Sequence, residues 1–330
     1  MDSSDQEVAR ELLPLLRVYK NGRVERLMGS NFVPSSLNDP ETDVSSKDIV
    51  ISSESSVSAR LYLPKLNNQD NNKKLPLFVY FHGGGFCVES AFSLLGHRYL
   101  NLIVSQANVV AVSVEYRLAP EHPLPVAYDD CWTAIQWVAA HARGGTTTTT
   151  AAAAEPWLTT YADFDRVFVG GDSSGGNIVH NVAMRAGKHG LPNGVKIYGA
   201  LLVQPYFWGS EPIGSELNAD PNQRAFTERV WRFVAPYSSG IDDPTINPVV
   251  AGAPSLAELG CSRVLVSVAG KDLLRDRGIL YWEELKKSGW KGEAELFDVE
   301  GEDHAFHVFN TATENAVILI KRLASFLSSE

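Results

Sequence analysis

The run Gly171-Asp172-Ser173-Ser174-Gly175-Gly176 is the strongest chemical signal in the chain. It sets a serine in G-x-S-x-G spacing between an apolar run that reads as a buried strand and a stretch that reads as a helix. In so sharp a turn, Gly171 and Gly175 let the strand and helix backbones pass closely. Ser173 is then lifted clear of the sheet with the positive end of a helix behind it. Ser174 is the rival nucleophile, but it does not have glycine at both minus two and plus two, since Asp172 stands at minus two. A second signal is His82-Gly83-Gly84-Gly85, straight after LPLFVYF. Three successive glycines at a strand end free backbone N–H groups to approach something. Together with the N–H of Ser174, they suit a developing oxyanion. A phosphate-binding loop is disfavoured, because no G-K-[ST] follows and no G-x-G-x-x-G opens a helix. His82 itself reads as a structural anchor of the loop.

A nucleophilic serine needs a base, and the base needs a carboxylate to orient it. His304 and His307 lie beyond the final strand, in EGEDHAFHVF. His304 is preferred, since it falls where a loop leaves that strand and can swing toward Ser173. The carboxylate falls on Asp272 or Asp276 in GKDLLRD. Asp272 is preferred, two residues past a strand end, whereas Asp276 suits a helix start. The two histidines form no HExxH and have no partner cluster, so neither a metal nor any other cofactor is expected.

These pieces require a scaffold that brings distant segments together. Strands read at 41–64, 75–81, 108–116, 166–171, 199–207, 263–270 and 293–300. Helices read at 97–106, 126–140, 176–186, 276–287 and 315–327. Such alternation means a mainly parallel sheet covered by helices on both faces. Polar residues 67–74 and the Thr/Ala run at 144–154 read as surface loops. Residues 209–249 break the alternation and sit where a lid over the carboxyl edge of the sheet would lie.

The composition is that of an ordinary globular chain of 330 residues, 44% hydrophobic and 21% charged. With 39 acidic against 29 basic residues and a net charge of −10, it lacks the clustered Lys and Arg that nucleic acid requires. Cys87, Cys131 and Cys261 are too scattered for a disulfide framework or a zinc site. No apolar run approaches the length of a spanning helix, and the first 30 residues lack the apolar core of a signal peptide. A cytoplasmic monomer with no membrane insertion is expected. Because Ser173 and the glycine loop lie in the first part and Asp272 and His304 near the end, one sheet must unite them. The expectation is a single domain over 1–330, with a small cap from 1–40 and 207–249.

HGGG, GDSSGG, DLLRD and His304-Ala305-Phe306 together resemble the hormone-sensitive-lipase branch of the α/β-hydrolases. PLLRVYKNGRVERL, VSSKDIVIS, ARLYLPK and EYRLAPEHPLPVAYDD are similar to plant carboxylesterases, over nearly the whole chain except the Thr/Ala run. The resemblance implies an α/β-hydrolase fold with an eight-stranded, mostly parallel sheet and a small helical cap. It also implies serine-esterase activity on small, short-chain acyl esters. Its catalytic residues fall on Ser173, Asp272 and His304, and its oxyanion donors on Gly84, Gly85 and Ser174, with Gly83 in the same motif. One local departure is Leu273, where many relatives carry proline. The same group holds hydroxyisoflavanone dehydratases and gibberellin-type receptors; a lyase and a non-catalytic receptor are therefore the alternatives, and His304 weighs against the receptor. Phe86, Trp231 and Phe233 are the expected pocket aromatics.

Overall fold

The computed structural model describes residues 7–66, 73–142 and 154–329. The two predicted surface loops, at 67–74 and 144–154, fall outside them except at their edges. Three short strands, β1 (Val8–Leu12), β2 (Leu16–Tyr19) and β3 (Val24–Arg26), pair antiparallel in a small sheet of their own. Sequence pattern predicts no element here, and the cap that the resemblance implies is helical. Leu12, Leu16 and Val18 are buried beneath the small sheet, while Arg10 and Glu11 stay exposed.

Eight strands form the main sheet: β4 (Ser45–Ser52), β5 (Val57–Leu63), β6 (Leu75–Phe81), β7 (Val110–Glu115), β8 (Ala162–Asp172), β9 (Ile197–Val203), β10 (Cys261–Ala269) and β11 (Glu293–Val299). Their order is β11-β10-β9-β8-β6-β7-β5-β4, parallel from β11 through β7, with β5 antiparallel to both its neighbours. β6 shows why the sheet is covered twice. Leu75, Leu77, Val79 and Phe81 enter one core and Phe78 and Tyr80 the other. Every residue of this strand is buried, as a continuous apolar run requires.

The helices are α1 (Leu94–Ala107), α2 (Val126–Ala140), α3 (Pro156–Tyr161), α4 (Ser174–His189), α5 (Pro221–Val234), α6 (Arg275–Lys287), α7 (Phe306–Phe309) and α8 (Glu314–Ser328). On one face, α1 and α8 supply Leu100, Ile103, Leu319 and Leu323. On the other, α2, α4 and α6 supply Ile135, Val138, Val179, Val182 and Leu285. The chain runs outward from β6 to β7 in one direction and from β8 to β11 in the other. This reversal opens a crevice at the carboxyl ends of β6 and β8, where ligands of open α/β sheets bind.

Residues 209–249 cross that crevice, and α5 is their main element. Asp220 caps its first turn by accepting from the Asn222 N–H at 2.8 Å, and Pro221 occupies the first helical position. The segment is anchored by a buried ion pair. Arg277 of α6 donates from Nε to Glu216 Oε1 at 2.6 Å and from Nη2 to Glu216 Oε2 at 2.8 Å and to the Glu211 carbonyl at 2.6 Å. Glu216 is fully buried and Arg277 is 5% exposed. Removing one partner of such a pair leaves the other charge buried and uncompensated. Arg277→Met is therefore expected to lower unfolding stability in urea by about 3–5 kcal/mol. An unchanged transition midpoint would show that the pair does not anchor the segment.

Candidate active site

Ser173 sits in the one-residue turn between β8 and α4, with φ 54° and ψ −117°. Such a backbone is strained for a non-glycine residue and persists only where its surroundings hold it. The turn depends on close approach: a Cβ built on Gly175 would lie 1.9 Å from the Phe81 carbonyl oxygen. No side chain fits there.

His304, on the loop after β11, reaches both expected partners. Its Nδ1 is 2.6 Å from Asp272 Oδ2 and its Nε2 is 2.8 Å from Ser173 Oγ. A carboxylate can only accept, so Nδ1 carries the proton, and Nε2 is left to accept from the Ser173 hydroxyl. Asp272 lies on the loop after β10 and is held there by accepting from the Leu274 N–H at 3.0 Å. Desolvation opposes charge on His304, but the charge and hydrogen bond of Asp272, with the charge of Asp172 behind them, outweigh it. The imidazole is thus held above the ordinary histidine value.

The other candidates point elsewhere. Asp276 accepts from the Ser215 N–H at 2.6 Å and pairs with Arg275, on the side of the crossing segment. His307 is fully buried, edge-on to Tyr99 at 5.3 Å, and neither ring nitrogen has a partner among the described residues. Burial, and then the nearby His304, push it down to about 3, so it stays neutral.

The glycine loop leaves β6 beside this group. His82 stacks on Tyr116, with ring centroids 4.2 Å apart, and the Tyr116 hydroxyl donates to the His82 carbonyl at 2.7 Å. The anchoring expected of His82 is therefore visible in its contacts. Gly84 has φ +106°, and a Cβ there would lie 2.2 Å from the Val88 carbonyl oxygen. Among the described residues, no protein acceptor takes the N–H of Gly84, Gly85 or Ser174. Free N–H groups at the mouth of a helix and in a glycine turn favour a negatively charged group beside them.

Two supporting residues escaped the sequence reading. Asp172, next to the serine, is buried and accepts a hydrogen bond from the Tyr80 hydroxyl. It fills the space behind the loop so fully that a Cβ on Gly83 would sit 2.3 Å from its Oδ2. Burial pushes its carboxyl up, against the Tyr80 hydrogen bond and the nearby histidines. A charged residue closing a buried strand was the available signal.

The group opens into a cavity of about 910 Å³. Its walls include Gly83, Gly84 and Gly85, Leu15 and Met28 from the N-terminal region, Phe226 and Val230 of α5, and Phe309 of α7. The expected aromatics are not among them. Phe86 and Trp231 are each 1% exposed and pack on each other, with centroids 6.4 Å apart, inside the core. Phe233 lies under the Arg10 guanidinium, 5.2 Å from its ring centroid. Among the described residues, no three His, Cys, Asp or Glu side chains are grouped to hold a metal ion, and no helix is long and apolar enough to cross a membrane.

Comparison with known proteins adds to this geometry. The family pattern for the alpha/beta hydrolase fold matches residues 78–308, and that of the carboxylesterase family matches residues 27–121. The chain is 55% identical over 326 residues to a 2-hydroxyisoflavanone dehydratase of Glycyrrhiza echinata, covering 98% of both chains. It is 44% identical to probable carboxylesterase 2 of Arabidopsis thaliana, covering 99% of both. Among solved structures it resembles an esterase of Pyrobaculum calidifontis, with a TM-score of 0.70 and 27% identity over 86% of this chain and 85% of that one.

Proposed function

The chain belongs to the carboxylesterase-type α/β-hydrolases, and from that membership we propose that it hydrolyses small carboxylic esters through an acyl-enzyme on Ser173. The observation that carries this reading is the pair of contacts from His304, 2.8 Å to Ser173 Oγ and 2.6 Å to Asp272 Oδ2. His304 takes the hydroxyl proton as Ser173 attacks the ester carbonyl. The N–H groups of Gly84, Gly85 and Ser174, next to Gly83, hold the oxyanion; one such donor is worth about 3 kcal/mol. His304 then protonates the leaving alcohol. Water, activated by the same imidazole, releases the acid. Every step uses side chains and backbone of this chain. The cavity lies near the upper end of volumes that hold drug-sized ligands, roughly 300–1,000 Å³. A short acyl group leaves most of it for the alcohol portion.

The base works only when neutral, and its value is raised. Activity is therefore lost as pH falls through that raised value, and the acidic limb of kcat/KM is expected above 6.5, the ordinary histidine value. A limb below 6.5 in a p-nitrophenyl ester assay would contradict the Asp272–His304 coupling.

A second reading is favoured by the dehydratase relative: elimination of water from a hydroxylated ketone, with the same N–H groups polarising the carbonyl. Product analysis separates the two. The purified chain is given p-nitrophenyl acetate and butyrate, and separately a 2-hydroxyisoflavanone. Release of acid and alcohol supports the esterase. Loss of water without ester turnover overturns it in favour of the lyase. Tight binding without either product indicates a receptor on the same scaffold.

A further inference from the structure

We propose that Gln204 is a positioning residue for His304, holding the backbone beside the base through its side-chain amide; this rests on the esterase reading above. Gln204 follows β9 directly and is 1% exposed. Its Oε1 accepts from the N–H of Ala305, the residue after His304, at 2.5 Å. The orientation of the amide follows from that contact, because the reversed amide would set two donors against each other. Both residues of the contact have left-handed backbones, with φ 46° at Gln204 and φ 57° at Ala305. Non-glycine residues in that region are strained, and such strain gathers at functional sites.

The neighbourhood of Gln204 gives the contact its reach. The Val203 carbonyl accepts from the Ser173 N–H at 2.9 Å, and the Tyr206 N–H donates to the Ser173 carbonyl at 2.8 Å. The Gln204 N–H donates to the carbonyl of Ser267 at 2.6 Å, on the strand that leads to Asp272. Val203, Gln204 and Tyr206, three residues of one short stretch, thus grip the backbone segments that carry Ser173, Asp272 and His304. Only the link to the histidine runs through a side chain.

The glutamine satisfies one buried group and leaves another unpaired. Its Nε2 is buried without a partner among the described residues, and a buried donor left unpaired is unfavourable. A leucine would remove that unpaired donor but would leave the Ala305 N–H unpaired in its place. What the amide supplies instead is an acceptor for Ala305, which fixes the turn that aims the imidazole between Asp272 and Ser173.

Gln204→Leu removes the acceptor, and Gln204→Glu keeps an oxygen in its place. Both are compared with the parent chain by steady-state ester hydrolysis and by the rate of phosphonylation of Ser173 with a fluorophosphonate. Complete labelling at long times counts the correctly folded sites. Per labelled site, Gln204→Leu is expected to lose about 10- to 100-fold in kcat and in phosphonylation rate, since a displacement near 1 Å can cost that much. KM should stay within about twofold, because Gln204 is not itself part of the cavity wall. Gln204→Glu should recover most of the loss. Equal rates per site in parent and Gln204→Leu, or a Glu variant as slow as the Leu variant, would overturn the role of Gln204. A parent chain that takes no label on Ser173 would overturn the esterase reading itself, a separate outcome.

Discussion

Ser173→Ala is expected to lower kcat for a chromogenic ester by roughly 10⁵- to 10⁶-fold and to leave the fold intact. Among the described residues the hydroxyl makes a single side-chain contact, with His304 Nε2, so its removal leaves none of them buried and unsatisfied beyond that part-exposed ring. The backbone bonds of the turn, Ser173 N–H to the Val203 carbonyl and Asn177 N–H to the Ser173 carbonyl, are untouched. Alanine meets the same strained φ that serine does. What disappears is the covalent route; the free N–H groups still bind and polarise a carbonyl, so a small residual rate over water persists. Intact-mass analysis after an organophosphonate gives the sharper readout. The parent should gain one adduct and the variant none, and an adduct on the variant would move the nucleophile elsewhere, with Ser174 the first alternative.

The second large effect is expected at Asp272. Asp272→Asn should reduce kcat about 10⁴-fold, because an amide facing Nδ1 favours the wrong tautomer and no longer stabilises the imidazolium. Asp276→Asn should cost far less activity. Its carboxylate accepts from Ser215 and pairs with Arg275, so its loss loosens the crossing segment and not the base. Measuring kcat/KM and urea stability for both variants separates these roles. Greater loss of rate at Asp276 would reverse the assignment.

The candidate site was legible because its steric demands leave marks in sequence. A strand, a helix and a reactive serine cannot meet in one residue unless glycine stands where Gly175 touches Phe81, and that spacing is visible in the letters. The parallel course of the later strands followed from alternation, which put Asp272 and His304 on loops at the same edge. The cavity wall was not legible. On α5, Phe226 and Val230 are four residues apart and share the cavity side, while Trp231, about 100° further round, enters the core. Residue type alone could not choose between those faces. The N-terminal strands were missed because each is too short to show a period, and their pairing depends on turns between them. Asp172 and Tyr80 were missed for another reason: their contact joins residues 92 positions apart, and neither makes a motif alone.

The buried bond between Arg277 and Glu216 also bears on how such chains can be recombined. A chimera that takes residues 209–249 from one relative and the helix after β10 from another separates the two charges. Unless both parents carry the pair, one ion is then entombed alone. The smallest exchangeable block therefore runs from the crossing segment through Arg277, and it necessarily includes Asp272. Substrate preference, to the extent that α5 sets it, and the carboxylate proposed to orient the base would travel together as one inherited unit.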